Sequence, residues 1–337
     1  MGASGVGAAL ACLSTVGGIS AAGAVPAQRP RAAAPRIATS RALNIAAVVA
    51  DAADPFYLQM KCGAEQSAKA NHVALTWQGS TSVDVAPEIA TLNAVRLRKP
   101  QGIILAPFDP NAFIAPVKSL MASGTPVVTV DGSLAKKVEL ENVRTDNAKA
   151  GALAADALGA QIHGTGTVGV ISFSPSVPVE VARVTGFVAE MKKVYPNVKI
   201  LAAQYGGADA GKAATITSGL IQANPNLAGL YVTDANDAEG AASAVRGAGD
   251  LGKVKVVGYD ATPQEVQDLK AGLFSALVAQ KPYQEGYRAV EVMANYLRHK
   301  LTRAQIPYYF PTGAAIVTKA NVNSKAMQHV LYRATCS

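Results

Sequence analysis

Four short apolar runs in this chain each close on an aspartate: Ala46 to Asp51, Val127 to Asp131, Leu230 to Asp234 and Val256 to Asp260. β-Branched runs of this length, spaced by stretches of helical patterning, mark strands buried on both faces of a parallel sheet. Such sheets bind ligands outside the carboxyl ends of their strands. Aspartate is otherwise rare in a buried setting, so a carboxylate recurring at that position is placed to meet a ligand. The pattern predicts a polar pocket rimmed by acids.

The alternation runs the length of the chain. Strands are predicted at 43–50, 73–77, 102–106 and 127–131, with an extended piece at 138–145, and helices at 57–71, 85–98 and 111–123. Gly124 closes the last of these helices and Pro126 opens the next strand. A second series has helices at 148–162, 179–195, 210–223, 238–248 and 263–271, and strands at 168–173, 198–205, 228–232, 254–259 and 275–280. A helix over 283–299 and an extended run over 309–317 follow. This is more than one compact sheet usually holds. The fold class is therefore α/β, with two doubly wound parallel-sheet lobes. The first lobe is assigned 43–146 plus 281–306, the second 147–280 plus 307–320, and residues 321–337 a tail. With no long linker between them, the lobes suit a hinged cleft with three crossings, near Asp146, Gln280 and Ile306.

Charge narrows the partners. The net charge is +8, but residues 1–43 carry four arginines and no acid, so half of it lies before the first strand. The rest is mildly basic without a clustered stripe, which argues against nucleic acid as a partner. Residues 1–24 are uncharged and small, and end on Ala22-Gly23-Ala24, an A-x-A site, so they read as an export signal, although no basic residue precedes them. Ala9-Leu10-Ala11-Cys12 is a weaker lipid-anchor alternative. The Ala/Pro/Arg stretch over 25–42 reads as a disordered tether. Cys62 and Cys336 remain after the signal. Cys62 has the pattern of a small buried side chain and Cys336 lies in an end expected to fray, and whether they pair is left open.

Several chemistries lose their footing on context. Gly164-Thr165-Gly166-Thr167-Val168-Gly169 matches G-x-G-x-x-G but follows a helix and leads into a strand, the reverse of a dinucleotide site. Ser133-Leu134-Ala135-Lys136 lacks its companion elements. His72, His163, His299 and His329 have no metal-ligand spacing. With no nucleophile and base to place, an enzyme is not expected, nor a cofactor or a metal.

In order along the chain stand Asp54-Pro55-Phe56-Tyr57, Val130-Asp131, Thr145-Asp146-Asn147, Arg183-Val184-Thr185-Gly186-Phe187, Gly258-Tyr259-Asp260-Ala261-Thr262-Pro263 and Ala279-Gln280. Over about residues 43–318 this set resembles the periplasmic sugar-binding proteins of the ribose-binding type, with the type 1 periplasmic binding protein fold shared by lactose-repressor-like regulators. The resemblance implies that Phe56 and Tyr57 sandwich a sugar ring, that Asp131 and Asp260 accept from paired hydroxyls, and that Arg183 donates. It implies further contacts from Asp54, Asp234, Tyr259 and Gln280. The nonfunctional alternatives are helix caps for Asp54, Asp146 and Asp234, and core for Tyr259.

This chain departs from the ribose pattern in several places. Gly132 stands where an arginine is usual, Ala106 where an asparagine is, Asp54 and Asp234 replace asparagines, and an aromatic near Ala208 is missing. Four carboxylates against one arginine raise an amine-bearing ligand, such as an aminosugar, beside a neutral monosaccharide or polyol. The resulting expectation is a monomeric, periplasmic or secreted solute-binding protein of an ABC-type sugar importer, serving a membrane permease. A sugar sensor feeding a chemoreceptor is the alternative. A repressor core is disfavoured, since residues 1–42 supply no helix-turn-helix.

Overall fold

The computed structural model describes residues 14–18, 42–80, 84–333 and 335–336. The export signal, Cys12 and the tether fall outside the described residues, apart from 14–18 and residue 42.

The first series builds β1 (Leu43–Val49), α1 (Pro55–Ala70), β2 (Val73–Gly79), α2 (Val85–Leu97), β3 (Gly102–Leu105), α3 (Ile114–Ala122), β4 (Val127–Val130) and β5 (Glu141–Thr145). The second builds α4 (Asn147–Gln161), β6 (Gly166–Ser172), α5 (Pro178–Val194), β7 (Val198–Ile200), β8 (Gln204–Tyr205), α6 (Ala210–Ala223), β9 (Leu227–Val232), α7 (Ala235–Gly247), β10 (Lys255–Tyr259), α8 (Pro263–Ala271) and β11 (Ala276–Ala279). The chain then runs through α9 (Pro282–Leu297), β12 (Tyr309–Thr312), β13 (Ala315–Val317) and α10 (Lys325–Gln328). One sheet has the order β12-β5-β4-β3-β1-β2, the other β13-β11-β10-β9-β6-β7 with β8 also on β6. Every pairing is parallel except β11 with β13.

Both faces of each sheet are covered, and the strands show why they read as continuous apolar runs. On β1, Ile45, Ala47 and Val49 pack with Met60 of α1 and Met293 of α9, while Ala46 and Val48 pack with Leu92 of α2 and Val117 of α3. Alternate residues of a strand point to opposite faces, so both sets must be apolar. Each fully buried Val or Leu there contributes about 1.5–3 kcal/mol. The second lobe repeats the plan, with Leu230 and Val232 toward α6 and α7 and Tyr231 toward α4 and α5.

Two expectations about the chain's last third are corrected. Residues 309–312 were assigned to the second lobe, but β12 pairs with β5 in the first, and only β13 joins the second sheet. The third crossing therefore lies between β12 and β13, at Gly313 and Ala314, while Ile306 is buried in the first lobe's core. A strand's apolar pattern states that it pairs, not with what. The expected frayed tail is also anchored: Leu331 and Tyr332 are buried, and Cys336 is bonded to Cys62 of α1.

The three crossings lie together. Asp146 N–H donates to the Thr312 carbonyl at 2.9 Å, and Thr145 and Thr312 each donate a hydroxyl to Glu285 Oε1 at 2.9 Å. Glu285 sits in the first turn of α9, just past the second crossing, so one buried carboxyl links all three. Burial raises it to about 8, with the charge of Asp131 adding to the shift. Among the described residues, no helix is long and apolar enough to cross a membrane.

Candidate functional site

A cleft of about 570 Å³ opens between the carboxyl ends of the two sheets. It is lined from the first lobe by Asp51, Asp54, Phe56, Tyr57, Phe108 and Asp131. The second lobe adds Phe173, Glu180, Arg183, Ala208, Asp234, Glu239 and Asp260, and Gln280 adds the second crossing. Another cavity, of about 660 Å³, lies behind Gln280 among Gln59, Lys281, Tyr283, His329 and Arg333, and it includes none of the strand-end acids.

Asp131 follows β4 and Asp260 follows β10, and both adopt left-handed backbone, with φ of 57° and 85°. That conformation is uncommon for a residue with a side chain, and such residues cluster at functional sites. Tyr57 donates its hydroxyl to Asp131 Oδ2 at 2.7 Å, leaving Oδ1 unused. Burial pushes the Asp131 carboxyl up, while the Tyr57 hydrogen bond and the Arg183 charge hold it down. Asp260 Oδ1 accepts from Gln280 Nε2 and from Tyr332 hydroxyl, each at 2.7 Å, so Oδ2 is its unused acceptor.

Asp54 and Asp234 are placed differently. Each caps a helix that follows a strand: Asp54 Oδ1 accepts from Phe56 N–H at 2.7 Å, and Asp234 Oδ1 from Asp237 N–H at 3.0 Å. Burial raises Asp54 to about 7, with the charges of Asp260, Asp51 and Asp131 adding to it. Burial pushes Asp234 well above the usual carboxylate range, helped by Glu180 and Asp237, and its Oδ2 is buried without a partner. The cap reading of both residues thus describes their backbone role, while both also line the cleft.

Arg183 is fixed on four sides although it is only 5% exposed. Nη1 donates to Glu180 Oε1 at 2.6 Å and to the Thr233 carbonyl at 2.8 Å, Nε donates to Asn147 Oδ1 at 2.9 Å, and the guanidinium lies 3.9 Å from the Tyr259 ring centre. These hydrogen bonds use Nε and Nη1, so Nη2 is the nitrogen offered to the cleft among the described residues. Glycine makes this placement possible. A Cβ at Gly151 of α4 would stand 2.1 Å from the Arg183 carbonyl, and one at Gly186 would stand 2.0 Å from the Ala148 carbonyl, so α4 and α5 meet backbone to backbone.

Most of the expected site residues converge on the cleft; Tyr259 does not. It is fully buried, donates its hydroxyl to Asn147 Oδ1 at 3.1 Å and lies beneath Arg183, because its side chain points from β10 into the second lobe's core. Phe56 and Tyr57 do line the cleft, meeting edge to face at 5.2 Å.

Sequence reasoning missed four contributors. Phe108 and Phe173 follow β3 and β6 and meet across the cleft at 6.1 Å, edge to face, where strand-end position was the available signal. Glu180 stands one helical turn before Arg183, a spacing that foretells a pair. Tyr332 gave no signal. Gly132, where the ribose-type resemblance implies an arginine, has no room for a side chain: a Cβ would stand 2.2 Å from the Pro107 carbonyl. Among the described residues, no group of three or more His, Cys, Asp or Glu is arranged to hold a metal ion.

Carboxyl groups, a guanidinium donor and aromatic faces converging from two α/β lobes define a binding cleft for a small polyhydroxylated solute. Residues 45–301 match the family model described as periplasmic binding protein domain, and the chain belongs to that family. It is 29% identical over 270 residues to the D-allose-binding periplasmic protein of Escherichia coli, covering 75% of this chain and 84% of that protein. It is 28% identical to a ribose import binding protein of Salmonella typhimurium, covering 78% and 88% respectively. An ABC transporter solute-binding protein from Agrobacterium vitis, solved with α-D-tagatopyranose, superposes with a TM-score of 0.81 at 31% identity, covering 86% of this chain and 99% of that one. The chain is thus a sugar-binding solute-binding protein of the ABC transporter class, and its family consists of substrate-binding proteins rather than enzymes.

Proposed function

We propose that this protein captures a neutral monosaccharide or polyol outside the cytoplasmic membrane and delivers it to an ABC permease, closing its lobes about the three crossings. The observation that carries this reading is the pair of left-handed aspartates, Asp131 and Asp260, facing one cleft from opposite lobes. A ligand favours the closed state only through contacts it makes better there, and a ring touching both acids does so. Each carboxylate would accept from ring hydroxyls, Arg183 Nη2 would donate to a ring or hydroxyl oxygen, and Phe56 with Tyr57 would pack on the C–H face.

The acid surplus that raised an amine-bearing ligand has a simpler account. Arg183 is already neutralised by Glu180. Burial raises Asp54 to about 7 and pushes Asp234 in the same direction, so both lean toward the neutral form. A protonated carboxyl presents one donor and one acceptor, as does the asparagine that ribose binders carry at both positions. Asp131 and Asp260 are then the acids that face the ligand from opposite lobes, each with one carboxyl oxygen left for it.

A thermal-shift screen followed by calorimetry tests the reading, using D-ribose, D-allose, D-tagatose, D-fucose and xylitol against D-glucosamine. The expected result is a neutral sugar or polyol bound at micromolar affinity or better. Tighter binding of D-glucosamine than of every neutral member would overturn the neutral reading.

A further inference from the structure

Asp260 takes one of its hydrogen bonds from a residue outside both the sheet and the hinge. After β13 the chain stays on the second lobe, where Val322 and Leu331 join the core. Tyr332 N–H then donates to the Ala261 carbonyl at 3.0 Å and its hydroxyl to Asp260 Oδ1. The next residue already belongs to the other side: Arg333 N–H donates to Gln59 Oε1 of α1 at 3.2 Å, and Cys336 is bonded to Cys62 of the same helix. The chain therefore crosses between the lobes a fourth time, and this crossing is closed covalently.

We propose that residues 332–336 are a strap that limits how far the lobes open and fixes the ligand-facing carboxylate of Asp260, with Tyr332 as a positioning residue. The proposal rests on the cleft being the sugar site. Three residues lie between Tyr332 and Cys336, and the four extended Cα–Cα steps span at most about 14 Å, which caps lobe separation on this side. Tyr332 is 4% exposed and its ring meets Phe56 edge to face at 6.1 Å, so the phenol is wedged between an aromatic of the first lobe and the acid of the second. With Gln280 and Tyr332 both on Oδ1, Asp260 is held with Oδ2 toward the cleft. A limited opening leaves less conformational freedom to lose on closure, which raises affinity by preorganisation.

Small-angle scattering and amide exchange on the ligand-free protein test this without any sugar. Cys336→Ser is expected to increase the radius of gyration by about 1 Å, and to speed exchange at least tenfold over residues 258–263 as well as 330–336, since a strap released from α1 holds Tyr332 less firmly on Asp260. Reduction of folded wild-type protein is expected to do the same, and carries the test should Cys336→Ser not fold. Tyr332→Phe, with the disulfide intact, is expected to speed exchange at 258–263 alone and leave the radius unchanged. Unchanged radius and unchanged exchange at 258–263 in the disulfide-free protein would overturn the strap. If these readouts hold while no member of the sugar panel binds, the strap stands and the sugar reading fails.

Discussion

Asp131 in the first lobe and Asp260 in the second occupy equivalent strand ends in the same left-handed backbone, and each accepts from a tyrosine at 2.7 Å. The sources of the two phenols differ. Tyr57 comes from α1 of the lobe that holds Asp131, whereas Tyr332 comes from a segment disulfide-bonded to the lobe opposite Asp260. The first half of the site is complete within its own lobe; the second half is completed by a segment that also ties it to the first. A second contrast cuts across the lobes. The strand-end acids Asp131 and Asp260 sit in strained backbone, while Asp54 and Asp234 sit at helix N-termini, where a carboxyl is ordinary and burial raises its pKa. Four similar residues in sequence thus divide into two left-handed strand-end acids and two helix caps.

The largest predicted effect on ligand affinity tests that division. Asp131→Ala and Asp260→Ala should each weaken binding of the best neutral ligand by about 100-fold or more, roughly 2.7 kcal/mol, measured by calorimetry on variants with wild-type circular dichroism. Next comes the support of Arg183: Glu180→Ala leaves a buried guanidinium without its carboxylate and should cost about 3–5 kcal/mol of stability in denaturant unfolding. An exposed pair would cost far less, so a loss under 1 kcal/mol would show that Arg183 is not held as described.

Smaller effects probe the hinge and the mouth. Glu285, raised from 4.5 to about 8, retains in the folded state a proton that the unfolded chain releases. Its contribution is therefore full below about pH 4.5 and lost as pH rises through about 8. Glu285→Gln should flatten that fall in urea titrations across the same window, and an unchanged slope would refute the assignment. Phe173→Ala removes the cross-lobe edge contact with Phe108, about 0.5–1.5 kcal/mol, and should weaken binding no more than about tenfold. The smallest change is expected from Asp234→Asn and Asp54→Asn, within about threefold, because the amide matches the carboxyl in size and accepts the same capping hydrogen bond. In wild type, affinity should shift as pH rises through about 7 and Asp54 ionises. Asp54→Asn should remove that shift.

The same two halves show what a sequence reveals and what it hides. The strand-end acids were legible because period and burial are local properties, and helices α6 and α8 fall within the predicted bounds. The run over 198–205 divides into β7 and β8 because β6 pairs with each at a different end. Likewise, 309–317 divides between the sheets at Gly313 and Ala314. Partner choice is a tertiary property that strand propensity does not encode. Tyr259 reads like its neighbour Asp260 in sequence, but the pleat turns it to the opposite face. Tyr332 was beyond reach, since its place depends on a disulfide spanning 274 residues and on an acid of the other lobe.

A crystal structure of the protein with the tightest-binding neutral sugar of the panel tests the central claim most directly. The account predicts one ring between the lobes, with hydroxyls on Asp131 Oδ1 and Asp260 Oδ2 and an oxygen on Arg183 Nη2. A sugar bound in the cavity behind Gln280, or touching only one of the two aspartates, would contradict it.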